Sequence, residues 1–171
     1  ANWQLYVSLI KEFNKQCEAL NPNTCYEHIE GLLISPLLVY IGTNEAIDLK
    51  FQSKTNIKSE EIPYIYQALS KFKLIDKNKN KTLKGDFFLK RTAAYGVTVS
   101  YLETFKQIKN LLIGDPEKLW IRNDAGQETH VNRKINIWGS GGSHKIYFKK
   151  INEIVIDIFN RPIDSQPKGI A

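Results

Sequence analysis

"SEEIPYIYQALSKFKLIDKNKNKTLKGD", residues 59–86, is the stretch on which the reading of this chain turns. Within it Ile62, Ile65, Tyr66, Leu69 and Phe72 recur at three- and four-residue spacing, one face of a helix. Glu60 and Glu61 stand at its first turn, where the helix dipole favours anions over any catalytic pairing. Pro63 biases Ile62 away from helical backbone, so the expected start is there and not at Ser59. Leu74 and Ile75 make an apolar patch, and "DKNKNKTLKGD", 76–86, is turn chemistry leading to the next one. That arrangement predicts a small two-stranded β-hairpin. Helix, helix, hairpin is the order of a winged helix.

Working outward toward the N-terminus, Tyr6, Leu9, Ile10, Phe13, Cys17 and Leu20 form one helical stripe, ended by Asn21 and Pro22. Thr24 and Glu27 have capping-box spacing and open a second helix with Ile29, Leu32 and Leu33 inward. Ser35 and Pro36 predict a third, short helix that ends near Gly42. Toward the C-terminus, Ser100 and Glu103 repeat the capping box before Tyr101, Phe105, Ile108 and Leu112, and Gly114, Asp115 and Pro116 close that helix. Residues 122–127 read as a loop. "HVNRKINIW" places Val131, Ile135 and Trp138 on one stripe that Gly139 stops, with His130 beside Arg133 on the other side. Ser143 then caps a last helix carrying Tyr147, Ile151, Ile154, Val155 and Ile158. The expected fold is mainly α: a helical, winged-helix-like region with a small β-hairpin over 1–91, followed by a helical lid or substrate-capping segment over 92–163.

A chain of 171 residues buries enough surface for a real core. No apolar run approaches the roughly 18 residues of a membrane span, and Ala1 to Leu20 lacks a secretory pattern, so a cytoplasmic protein is expected. Cys17 and Cys25 match no zinc spacing and read as buried thiols. The chain has no methionine, so either processing removed an initiator or this is a segment of a longer polypeptide, and the closing "DSQPKGIA", 164–171, favours the second. Its net charge of +6 is concentrated in residues 71–91. A solvated lysine-rich turn accounts for this better than nucleic-acid binding, because the helix that would read bases begins with two glutamates.

"GSGGSHK", 139–145, fails both phosphate templates, since His144 stands where each needs glycine. It is left as a hinge between two helices, or as a helix start whose free amides contact an anion. His28, His130 and His144 lack the spacing of a metal set, and Ser143, His144 and Asp157 do not form a triad. No catalytic or metal-binding residue is assigned.

"GLLISPLLVYIG" (31–42), "LSKFKLID" (69–76), "AAYGVTVSYLETF" (93–105), "LLIGDPEKLW" (111–120), the block 133–163 and "QPKGIA" (166–171) resemble the N-terminal region of class I S-adenosylmethionine-dependent methyltransferases of bacterial polyketide assembly. The similarity is greatest to starter-unit C-methyltransferases of apratoxin-type loading modules. It covers most of the chain after about residue 26, and 93–105 and 133–163 are its specific blocks. The resemblance implies a following Rossmann-type core that holds S-adenosylmethionine in an acidic-x-Gly-x-Gly turn. No such turn occurs here, and 164–171 would be where that core starts, so no cofactor is expected in this segment and the methyl donor is expected in the full-length parent. It further implies a cap over the active-site cleft, with an acyl carrier protein and its acyl-phosphopantetheine as partners beside the downstream methyltransferase core. Aromatic walls and a few cationic donors suit an acyl thioester, which makes Tyr95, His130, Arg133, Trp138, His144 and Tyr147 the candidate substrate contacts. The alternatives are a winged-helix nucleic-acid binder and a carrier-protein docking or dimerisation module.

Overall fold

The computed structural model describes residues 2–19, 24–51 and 55–169, without the side chains of residues 18, 19, 24 and 25. The described residues form α1 (Trp3–Ala19), α2 (Thr24–Thr43), α3 (Ile62–Lys71), α4 (Leu83–Leu89), α5 (Gly96–Ser100), α6 (Leu102–Lys106), α7 (Ile108–Ile113) and α8 (Arg133–Phe159). Short 3-10 turns lie at Thr92–Tyr95, Pro116–Trp120 and Ile163–Ser165. The mainly helical class is thus observed. Among the described residues, no helix is long and apolar enough to cross a membrane.

The apolar stripes of α1 to α4 close one core. Ile10, Leu38, Ile41, Ile65, Leu69, Phe72 and Leu89 are almost wholly inaccessible to solvent there. Glu61, just ahead of α3, ties three helices at its edge. Its carboxylate accepts hydrogen bonds from Trp3 Nε1 of α1 (3.0 Å), the Tyr40 hydroxyl of α2 (2.6 Å) and the Lys58 backbone N–H (3.0 Å). The Tyr40 bond above all holds the Glu61 carboxyl below the usual carboxylate range. Burial, reinforced by Glu61, pushes the Tyr40 hydroxyl up to about 12.

Several expectations need correction. α2 runs unbroken through Pro36, so the third helix does not exist as a separate element. Ser35 does not cap; its hydroxyl donates to the Gly31 carbonyl one turn back (2.6 Å), a bond made inside a helix. The stripe that packs is Ile34, Leu37, Leu38 and Ile41, which leaves Ile29 and Leu32 exposed and Leu33 half-buried. The hairpin shrinks to a single antiparallel bridge between Ile75 and Lys81. Where its second strand was expected, Thr82 caps α4 by accepting from the Gly85 N–H (3.0 Å). Gly85 is what seats that helix, since a Cβ there would lie 1.8 Å from the Leu74 carbonyl oxygen.

The helix expected from Ser100 is instead three short ones, α5 to α7. Ser100 ends α5 and is buried, its hydroxyl donating back to the Val97 carbonyl, so it cannot open a capping box. Glu103 pairs with Lys106 (2.6 Å), and Phe105, Ile108 and Leu112 are exposed. Gly114 does close α7, and the 122–127 loop is drawn together by an Arg122–Glu128 bridge with Gly126 at φ 73°. Cys17 is only half-buried. The Cys25 side chain, the Thr24 cap and the Asn21–Pro22 break lie outside the described residues.

Candidate functional site

α8 begins at Arg133, where the Asn132 side chain caps it by accepting from the Ile135 N–H (3.1 Å). It then continues for 27 residues straight through the glycine run. Gly139 does not stop a helix and Ser143 does not start one, which overturns both the hinge and the anion cradle. Amides at 139–143 are inside the helix, committed to carbonyls four residues earlier.

What the glycines do is bring two helices together. The first half of α8 lies antiparallel to residues 93–104 in a constant register. Ala93 faces Gly142, Gly96 faces Gly139, Asn136 Nδ2 donates to Ser100 Oγ (3.0 Å), and Thr104 Oγ1 donates to the His130 carbonyl (2.7 Å). A Cβ on Gly139 would sit 2.7 Å from Gly96 Cα, closer than side-chain carbons approach a backbone. The Trp138 ring fills the space beside this contact, lying against Gly96 and against Gly42 of α2. Tyr95 turns the other way, half-buried and stacked on Phe88 of α4 with centroids 6.0 Å apart.

The six candidate contacts therefore fall in three places. Tyr95 and Trp138 flank the glycine seam. His130 precedes α8, not within the helix as the sequence suggested, and is only 8% exposed. Its ring meets the Trp120 ring edge-on at 4.9 Å, and its Nδ1 is buried with no hydrogen-bond partner among the described residues. Close by, exposed Arg133 binds Glu128 through Nε and holds that carboxyl below its usual range. His144 and Tyr147 lie on the far half of α8, roughly 16 Å along the axis from Arg133. There the His144 ring stands 6.2 Å from Tyr147 and 6.0 Å from Phe148, with Ser140 Oγ 3.4 Å from its Nδ1.

That far half has almost no cover among the described residues. Between residues 141 and 160 only Val155 and Ile158 are even half-buried. Tyr147, Phe148, Ile151, Ile154, Val155, Ile158 and Phe159 share an arc of roughly 140° at helical spacing, with His144 in its midst. Tyr147 is 67% and Ile151 52% exposed. A contiguous apolar surface of this kind marks an interaction site. Among the described residues no group of three or more His, Cys, Asp or Glu side chains is placed to hold a metal ion.

Sequence reasoning did not find Trp120 as the cover of His130, nor Glu61 as a tie between helices. Trp120 and His130 meet across the 122–127 loop and the Glu61 partners Tyr40 and Trp3 lie 21 and 58 residues away, so helical spacing encodes neither.

A helical body, with its expected hairpin reduced to one bridge, thus runs into a further helical segment. Residues 30–115, half of the chain, match the AprA winged helix domain family, and residues 128–171 match the AprA MT2-like domain family. The chain belongs to the AprA winged helix family and is the N-terminal region of an apratoxin-type methyltransferase. The winged-helix label names an arrangement and implies no ligand. No curated protein matches the sequence.

Proposed function

We propose that this chain is the substrate-side lid of a polyketide-associated methyltransferase acting on carrier-bound acyl groups, and that it has no catalytic activity by itself. The observation that carries this reading is the exposed apolar half of α8, inside the stretch matched to a methyltransferase-associated domain. An amphipathic helix of five turns is stable in water only when its apolar arc is covered. In this reading the methyltransferase core covers it, and the glycine seam fixes the angle at which the lid meets that core. His144 and Tyr147 then face the acyl or phosphopantetheine entry. S-adenosylmethionine belongs to the core, where it supplies the methyl group.

Calorimetry tests the division of labour. The 171-residue chain is expected not to bind S-adenosylmethionine, whereas the complete enzyme binds it. Micromolar binding by the isolated chain overturns the reading. In the complete enzyme, His144→Ala is expected to raise KM for the acyl substrate with kcat nearly unchanged, the signature of lost uniform binding. If neither constant moves, His144 is not a substrate contact.

A further inference from the structure

Residues 71–91 hold seven lysines, one arginine and two aspartates, a net +6 that equals the charge of the whole chain; the other 150 residues balance to zero. The structure spends the two aspartates internally. Asp76 accepts the backbone N–H groups of Asn78 and Asn80 (both 2.8 Å) and shapes the turn. Asp86 is taken by Lys90 (2.6 Å) and Lys81 (3.5 Å). Lys73 and Lys77 have no ion-pair partner among the described residues, and Lys79 Nζ rests 4.7 Å over the Tyr66 ring. The helix that follows this turn, α4, presents Leu83, 94% exposed, and Phe87, 51% exposed, in line with Arg91, whose guanidinium lies 3.8 Å from the Phe87 ring centre.

An apolar knob with a stacked arginine, on a helix that directly follows a lysine-rich turn, suits a protein interface with an apolar centre and charged surroundings. Duplex phosphates need the cations but give Leu83 and Phe87 nothing to bury against. An anionic membrane takes a helix with a broad apolar face, and of the apolar side chains of α4 only Leu83 and Phe87 are exposed. We infer that the turn 76–81 and the outer face of α4 form a docking surface for an acidic protein, the acyl carrier protein that delivers the substrate. Leu83 and Phe87 enter an apolar recess of the partner, and Lys73, Lys77, Lys79 and Arg91 meet carboxylates around it. The choice of carrier protein as the acidic partner rests on the function proposed above.

The test is binding of the phosphopantetheinylated carrier protein to the complete enzyme at increasing salt. Binding is expected to weaken steeply with salt. Joint exchange of Lys73→Glu, Lys77→Glu and Lys79→Glu is expected to weaken it about tenfold or more, mainly through the association rate. Phe87→Ala is expected to speed dissociation about tenfold. Lys11→Glu with Lys15→Glu and Lys109→Glu, the same charge change placed elsewhere, leaves binding unchanged, and circular dichroism confirms that every variant is folded. An equal loss in that control, no carrier binding, or tighter binding to a DNA duplex or phosphatidylserine vesicles overturns the inference. S-adenosylmethionine titrated into the same enzyme reads the methyltransferase proposal separately, so either can fail while the other stands.

Discussion

Glu61 shows how much of this structure depends on single polar contacts made across the fold. Its position before α3 suggests dipole compensation, yet its oxygens are taken by α1, α2 and the Lys58 amide. Because these bonds lower its folded pKa, their stabilisation is complete above the ordinary carboxylate range and disappears as pH falls through the folded value. The urea midpoint of the wild-type chain is therefore expected to drop between about pH 5 and pH 3. Glu61→Gln should be less stable at neutral pH, by on the order of 1 kcal/mol given its partial exposure, and should lose less over that interval. Parallel pH profiles for the two proteins count against the tie. Its N-terminal position was legible in sequence; its partners, 21 and 58 residues away, were not.

At the scale of elements, the glycine run of α8 is the instructive case. Glycines act as helix breakers because they cost about 1 kcal/mol each relative to alanine in a helix interior. The seam with residues 93–104 offsets that cost wherever a glycine is squeezed by a neighbour. Gly139 is squeezed, whereas a Cβ added to Gly141 would meet nothing within 4 Å. Opposite outcomes are expected within one run: Gly139→Ala destabilises by about 1–3 kcal/mol through overpacking, while Gly141→Ala stabilises by roughly 0.5–1 kcal/mol. Thermal unfolding of both variants decides, and equal shifts would show that the seam does not distinguish them. The same tertiary logic explains α4. Its Leu83, Phe87 and Arg91 spacing was helical all along, but the surrounding turn residues favoured a hairpin, and only the seat on Leu74 shows why a helix forms there.

For the whole molecule, the contrast lies between a core closed by α1 to α4 and the open half of α8. An exposed apolar face contributes nothing to the stability of the chain that carries it. Ile151→Asp is thus expected to leave the melting temperature of the 171-residue chain nearly unchanged, within the roughly 0.5 kcal/mol typical of surface positions. Under the lid proposal, the same exchange in the complete enzyme buries an unpaired carboxylate and should cost about 2 kcal/mol or more. Comparable losses in both proteins would place Ile151 in the core of this chain and remove the docking face.

Sequence alone determined the helical class, the stripe of α3, the stop at Gly114 and the concentration of charge in 71–91, because periodicity, chain-breaking residues and charge are properties of neighbours along the chain; on the expected stripe of α1, Leu9 is exposed and Val7 is buried in its stead. Tertiary structure alone decided that α2 and α8 run unbroken, that the hairpin gives way to α4, and which apolar faces stay open. Those outcomes depend on whether a second element approaches closely enough to offset the cost of a proline, a glycine or an exposed leucine, and that approach is made by residues far apart in the chain.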